Sequence, residues 1–333
     1  VKFSPPLNVS GDNKTPLTPP LSGGRIAPNV RGGEIPAHFS YSQLAAYSNC
    51  PYQYRFAHIL KIPVMGKEQF SFGKTMHATL QKLFILINEK KGLGQGDLFG
   101  AETSPAPRPK SPLDKGDLGD LKLEGNNPPS PPPRLAPGET GLYQEGKIQI
   151  TFDEILKLYE QSWIDDWYES KEKKQERKKQ GREILKVFYE KYNGHWPEVL
   201  FLEKGFNLKI FDGQNAYTIR GAIDRIDQAD HGLKLVDYKT GRAKQKLTLA
   251  EKEQLFIYQL AAQELFKEPV KGLIFYYLDD NSEIEFMGRP EDLIKIKAKI
   301  ISTIKEIGRG EFSARPGRLC AWCDFNSICE FKF

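Results

Sequence analysis

The stretch that decides the fold reads Gly221-Ala222-Ile223-Asp224-Arg225-Ile226-Asp227, and Leu235-Val236-Asp237-Tyr238-Lys239-Thr240-Gly241 follows it closely. Both segments are rich in apolar residues, and the turn-forming pair His231-Gly232 lies between them, so they are predicted to be neighbouring strands. Residues two apart on a strand project from the same face, which places Asp237 beside Lys239. Asp224, expected at the end of the neighbouring strand, would then lie across from this pair.

Hydrophobic periodicity extends this strand pair into an α/β fold, in which helices flank a mixed central sheet. N-terminal helices precede the sheet, and the first of them is predicted to begin at a cap formed by Ser40 or Ser42. Strands are predicted over 199–210, 216–226, 233–239, 272–278 and 283–287, and helices over 40–59, 74–90, 152–192, 249–266 and 293–307.

Composition divides the 333 residues into ordered and disordered parts. Residues 1–37 and 92–146 are rich in Pro, Gly and Ser without periodicity, which predicts a disordered arm and a disordered low-complexity insertion. The ordered parts are an N-terminal helical region, 38–91, and a core with a C-terminal cysteine group, 147–333. No segment approaches the roughly 18 apolar residues that span a bilayer, and the first thirty residues lack a signal-type apolar core. We therefore expect a cytoplasmic protein without membrane contact.

Two aspartates beside a lysine indicate metal-dependent chemistry. Carboxylate oxygens bind Mg²⁺ or Mn²⁺, and such a metal can polarise a phosphate and activate water. A neighbouring lysine can orient that water and stabilise charge that develops on the phosphate. The alternative is a surface ion pair at a strand end, because Asp-x-Lys triplets are common by chance.

The chain contains four cysteines, and three of them lie together near the C-terminus. Cys50 stands alone, whereas Cys320, Cys323 and Cys329 form a C-x2-C-x5-C group. Four thiolates can hold either a tetrahedral zinc ion or an iron–sulfur cluster, and spacing alone leaves both open. Disulfides are not expected in a cytoplasmic chain of this length.

Three further features are weaker indicators of function. The net charge of the chain, +5, equals the excess of basic over acidic residues in the run 171–182, which has seven basic and two acidic residues. This run is either a phosphate-binding face or a solvated helix face. His77, in Phe72-Gly73-Lys74-Thr75-Met76-His77, is either a structural or a metal-binding histidine. Gln254 and Tyr258 lie one turn apart on an otherwise apolar helix.

Together these motifs resemble the PD-(D/E)xK nuclease superfamily, in its RecB-like and AddB-like exonuclease branch with a C-terminal iron–sulfur cluster, and the small CRISPR-associated exonucleases. The resemblance covers about 38–91 and 150–333. It implies a restriction-endonuclease-like core with a metal site, a catalytic lysine and a structural 4Fe–4S cluster. The metal ligands that it implies are His77, Asp224, Asp237 and the Tyr238 carbonyl. The catalytic and positioning residues that it implies are Asp224, Asp237, Lys239, Gln254 and Tyr258. The cluster ligands that it implies are Cys50, Cys320, Cys323 and Cys329. Glu203 corresponds to an additional acidic residue of some members.

The function that this resemblance implies is hydrolysis of DNA with Mg²⁺ or Mn²⁺. We expect an exonuclease that acts on single strands or DNA ends during repair or recombination, with a helicase as a partner. Two alternatives stay open: a nuclease that trims new spacers in CRISPR adaptation, and a non-catalytic DNA-binding scaffold within a helicase complex.

Overall fold

The computed structural model describes residues 36–92 and 148–333. The predicted disordered arm and insertion therefore lie outside the described residues, apart from a few positions at their edges. One six-stranded sheet forms the centre of the molecule, which confirms the predicted α/β fold with a mixed sheet. Its strands are β1 (Phe39–Ser40), β2 (Val199–Asp212), β3 (Asn215–Ala229), β4 (Gly232–Lys239), β5 (Val270–Tyr277) and β6 (Ser282–Phe286).

The long strand β3 organises the sheet. It pairs with β2 in antiparallel orientation over nearly all of its length, and its other edge pairs first with β1, in parallel, and then with β4, in antiparallel orientation. Strands β4 and β5 are parallel, whereas β5 and β6 are antiparallel. A parallel pair needs a crossover connection, and here a helix between β4 and β5 provides it.

Helices cover both faces of the sheet. They are α1 (Tyr41–Asn49), α2 (Pro51–Tyr54), a π-helical turn (Arg55–Ile59), α3 (Glu68–Lys90), α4 (Phe152–Ser162), α5 (Lys171–Tyr192), the crossover helix α6 (Leu249–Leu265), α7 (Pro290–Gly308) and a 3-10 turn (Arg318–Trp322). Buried side chains of α3, α4 and α5 pack on one face, and those of α1, α6 and α7 pack on the other. Within the described ranges, no helix combines the length and apolar character needed to cross a membrane.

Two predicted helices are each divided in the structure. The helix predicted over 40–59 ends at Asn49, because Cys50 is extended (φ −159°) and precedes Pro51, which disfavours helical backbone at the residue before it. Ser40 caps α1 through a capping box with Gln43. The helix predicted over 152–192 is interrupted between Ser162 and Lys171. Trp163 and Trp167 lie in this connection.

Candidate active site

Three elements bring potential metal ligands together at one place. A ring nitrogen of His77 on α3 and carboxylate oxygens of Glu203 on β2 and Asp224 on β3 lie within 4.8 Å of one another. In the parts of the chain that the structure describes, no other group of three His, Cys, Asp or Glu side chains is this close. Helix α3 is held in position by its apolar face, where Met76 and Leu80 are fully buried.

Glu203 faces Asp224 across the β2–β3 pair. Its neighbours Leu202 and Lys204 pair with Arg225 and Ile223, which puts the two acidic residues opposite each other. The backbone of Glu203 has a φ of +46°, a left-handed conformation that is uncommon outside glycine. Such strain is retained where the surroundings hold it, often at functional sites. Burial and the charge of Asp237 raise the pKa of the Glu203 carboxyl.

Asp224 lies within β3, and not at the strand end where the sequence pattern placed it. Its Oδ2 accepts a hydrogen bond from the backbone N–H of Tyr238 at 2.8 Å and lies 3.5 Å from His77 Nδ1. His77 Nε2 lies 3.2 Å from the carbonyl oxygen of Tyr238. Burial lowers the pKa of His77, which favours the neutral ring that ligates metals. The structure therefore brings three of the predicted ligands, His77, Asp224 and the Tyr238 carbonyl, into contact.

Asp237 is 2% exposed and lies beside the metal-ligand group. The Lys239 ammonium is 2.7 Å from Asp237 Oδ2, but this buried oxygen receives no well-directed hydrogen bond. Burial raises the pKa of Asp237, and burial together with the charge of Asp237 raises that of Asp224. Buried acceptors and carboxylates that repel each other are relieved when a cation binds between them. The donor set of oxygens and one neutral histidine therefore fits Mg²⁺ or Mn²⁺.

A chain of polar contacts holds Lys239. Its ammonium donates to Gln254 Oε1 at 2.7 Å, and Gln254 Nε2 donates to the Tyr258 hydroxyl at 2.9 Å. Gln254 and Tyr258 lie on successive turns of α6, as their spacing predicted. Burial and the nearby charges of Asp237 and Asp224 raise the pKa of Tyr258 and keep it protonated. The structure thus connects the two helix residues to the lysine.

A buried ion pair supports the site from the opposite face of β4. Arg225 is 3% exposed, pairs with Asp227 at 2.9 Å, and donates to the Tyr238 hydroxyl at 2.7 Å. Its guanidinium also lies over the ring of Phe84 on α3. These contacts fix Tyr238, whose backbone contacts both Asp224 and His77. The sequence contains a signal for this support, because Arg225 and Asp227 are two apart on one strand, but their roles were not predicted.

The four cysteines line one pocket, where the chain that follows α1 meets the C-terminal segment. The backbone N–H of Arg315 donates to Cys50 Sγ, and that of Gly317 donates to Cys320 Sγ, each at 3.4 Å. A tetrahedral zinc with Zn–S bonds of about 2.3 Å would bring all sulfurs within about 4 Å of one another. No three of these sulfurs lie within 4.8 Å of one another. The pocket presents four thiolate donors, the ligand type of both zinc and iron–sulfur sites.

The basic run at the beginning of α5 is largely neutralised. Five of its seven basic side chains form ion pairs, and only one of these pairs lies within the run itself. The pairs are Lys173–Glu176, Lys174–Asp165, Arg177–Glu68, Lys178–Glu160 and Arg182–Glu160. These contacts join α5 to α3 and α4, which gives the run a structural role.

A mixed sheet that carries an aspartate–lysine strand beside a second aspartate defines a restriction-endonuclease-like core. The family model of the PD-(D/E)XK nuclease superfamily matches residues 38–113 and 142–330, so the chain belongs to this superfamily. Among solved structures, one titled "Crystal structure of SSO0001" is 22% identical, with a TM-score of 0.33, and the match covers 48% of this chain and 79% of that chain. No curated protein sequence matches the chain. The superfamily prediction is confirmed, and the RecB-like and AddB-like branch remains a prediction.

Proposed function

We propose that this protein is a Mg²⁺- or Mn²⁺-dependent deoxyribonuclease that hydrolyses phosphodiester bonds. The observation that carries the proposal is the convergence of His77, Glu203 and Asp224 within 4.8 Å, directly beside the Asp237–Lys239 pair. Membership of the PD-(D/E)XK nuclease superfamily supports the same reaction.

The residues that would hold the metal are His77, Glu203, Asp224, Asp237 and the Tyr238 carbonyl. When bound, the divalent ion supplies Lewis-acid polarisation of the phosphate and a more acidic water. Burial lowers the pKa of His77, which favours the neutral ring that can act as a ligand. Buried Arg225 holds Tyr238 in place and so keeps its carbonyl directed at His77.

Lys239 supplies the positive charge of the site. The ammonium donates to Gln254 and forms an ion pair with Asp237, and it retains protons to orient a water or to contact a phosphate oxygen. A fixed ammonium stabilises negative charge that grows on the phosphate without first having to reorganise. Tyr258 stays protonated and restrains Gln254, and through Gln254 the lysine.

We further propose that the enzyme is an exonuclease of the RecB-like and AddB-like branch, that it works on single strands or DNA ends in cytoplasmic repair or recombination, and that a helicase is its partner. The motif resemblance supports this choice. The CRISPR-adaptation role is the second candidate, because the same motifs occur in the small CRISPR-associated exonucleases. The complete set of Asp224, Asp237 and Lys239 disfavours a non-catalytic scaffold.

The cysteine pocket is proposed to hold a 4Fe–4S cluster with a structural role. Four sulfurs around one pocket, two of them accepting backbone N–H groups, are the environment that such clusters use. Hydrolysis needs no electron transfer, so a redox role is not required.

The test is cleavage of end-labelled DNA by the purified protein with EDTA, Mg²⁺ or Mn²⁺. We expect cleavage only with metal, and a loss of at least about 100-fold in turnover for Lys239→Ala, in the range found when one stabilising donor is removed from a transition state. Lys209→Ala, which removes an exposed lysine on β2, is the matched control and should retain wild-type activity. Equal activity of the two variants, or cleavage in EDTA, would contradict the proposal.

A further inference from the structure

One exposed face of α3 leads from solvent directly to the candidate metal site. Phe70, Lys74 and His77 lie at intervals of four and three residues, so they share this face. The Phe70 ring is 55% exposed, whereas Ser71 and Phe72 beside it are buried. Phe70 and His77 are about 10 Å apart along the helix axis, at 1.5 Å rise per residue. Packing in the core therefore does not explain why a phenylalanine stands at position 70.

The loop that follows Lys239 borders the same face. A Cβ at Gly73 would lie 3.5 Å from Thr240 Cγ2, which shows that α3 and this loop are in contact. Lys74 and Arg242 are exposed on either side of this contact. Neither forms an ion pair or side-chain hydrogen bond with any residue in 36–92 or 148–333, in contrast to most of the basic run of α5. Two unpaired positive charges thus lie in the segments that meet here, one on α3 and one in the loop after Lys239.

A second exposed aromatic side chain lies where α3 begins. Trp167 is 53% exposed, and its backbone φ of +68° is an outlier for a bulky residue. Its ring covers Gly66, where an added Cβ would come within 2.4 Å of the indole. A large aromatic held at the surface in a strained conformation is a candidate for a functional contact.

We propose that these four residues, Phe70, Lys74, Trp167 and Arg242, form a binding surface for single-stranded DNA, here called the α3 surface. The proposal rests on the nuclease function proposed above. Aromatic rings stack on unpaired bases, and lysine and arginine bind the phosphates between them. A duplex already stacks its bases internally, so it cannot use Phe70 in this way.

The first test measures equilibrium binding of a labelled single-stranded oligonucleotide and of its duplex by fluorescence anisotropy, with the protein in EDTA. Phe70→Ala is expected to weaken single-strand binding by roughly 5- to 150-fold, the range measured for loss of one stacked base, and to leave duplex binding nearly unchanged. Phe70→Tyr should keep the affinity, and Phe70→Leu, which is apolar but lacks a ring, should not. Phe211→Ala removes another exposed phenylalanine, on β2, and is the control.

The second test separates stacking from charge. Lys74→Ala should reduce the salt dependence of single-strand binding by about 0.7 in the slope of log affinity against log salt, the value for one lost phosphate contact. Lys297→Ala removes an exposed lysine of α7 and should leave the slope unchanged.

Unchanged single-strand affinity in Phe70→Ala, or full affinity in Phe70→Leu, would overturn the α3 surface. If either occurs while the wild type still cleaves DNA with metal, the surface is wrong and the nuclease function stands. If Phe70 governs binding but no metal supports cleavage, the surface stands and the nuclease function is wrong. A wild type that neither binds single-stranded DNA nor cleaves DNA with metal would refute both.

Discussion

At the scale of single residues, the most informative group is the cluster of acids around Asp224. Burial and neighbouring charge raise the pKa values of Asp224, Asp237 and Glu203 above their ordinary values. A carboxyl whose folded-state pKa is raised favours the fold below its unfolded pKa, and this stabilisation is lost as pH rises through the folded-state pKa. In the metal-free protein, the contribution of this cluster to stability is therefore expected to fall as pH rises above about 4, the unfolded aspartate value.

Asp224→Asn should remove part of the repulsion among these carboxylates. It keeps a side-chain oxygen that accepts a hydrogen bond from the Tyr238 backbone N–H. We expect the variant, in EDTA at pH 7, to unfold a few degrees above wild type, since 1 kcal/mol corresponds to about 2–4 °C in a protein of this size. Mn²⁺ should raise the melting temperature of wild type and have little effect on the variant. Thermal unfolding between pH 4 and 8 provides the measurement.

The matched control is Asp230→Asn, which changes an exposed aspartate just beyond β3 and should behave as wild type. A melting temperature below wild type for Asp224→Asn in EDTA would show that the acidic cluster is not under electrostatic strain.

At the scale of elements, Gly221 on β3 shows how packing between β2 and β3 affects the position of Lys239. Gly221 pairs with Phe206 on β2, and a Cβ there would come within 2.7 Å of the Phe206 ring. That ring makes an edge contact with Tyr258, at 5.8 Å between centroids, and Tyr258 restrains Gln254. Gly221 therefore leaves room for the Phe206 ring, which supports the chain of polar contacts that holds Lys239.

Gly221→Ala should push Phe206 toward Tyr258. Overpacking of this kind costs about 1–3 kcal/mol, and the displaced ring should also lower turnover. Gly205→Ala on β2 is the control, because an added Cβ there meets nothing within 4 Å. Urea unfolding and single-turnover cleavage of both variants provide the measurements. Equal stability and activity of the two variants would refute the packing argument. Higher stability and activity in the double variant Gly221→Ala/Phe206→Leu than in Gly221→Ala alone would support it.

The elements also show what sequence can and cannot predict here. Apolar patterning located five of the six strands and the turn at His231-Gly232, because burial on a sheet imposes a period of two. Strand β1 (Phe39–Ser40) was missed, because two residues are too short to show that period. The break at Cys50 was missed, although Pro51 marks it, because the apolar spacing continues across the proline. At the site, local spacing predicted the Asp237–Lys239 and Gln254–Tyr258 pairs. The position of Glu203 depends on β2–β3 register and an unusual φ, which no local pattern contains.

At the scale of the whole molecule, the cysteine pocket joins distant parts of the chain. Tyr52 donates to Glu330 at 2.6 Å, and the Lys67 ammonium lies 2.6 Å from Asp324. Phe325 is the only buried apolar side chain among the described residues beyond Ile307. The C-terminal segment also contacts the N-terminal helices through partly exposed rings, Phe312 against Tyr47 and Tyr54, and Phe331 against Tyr52. A bound cluster would add its binding free energy to these contacts.

Cys320→Ser should therefore release the cluster and loosen both ends of the described chain together. Protein purified without oxygen is expected to be brown, with about four irons and four sulfides per chain, and the variant to be pale. Hydrogen exchange should quicken in α1, α2 and the segment after α7, while the β3–β4 core keeps its protection, because local stability follows local contacts. Ser327→Ala, between Cys323 and Cys329, is the control and should stay brown. A colourless wild type that contains one zinc would refute the cluster, and unchanged exchange at α1 in Cys320→Ser would refute its role in joining the two segments.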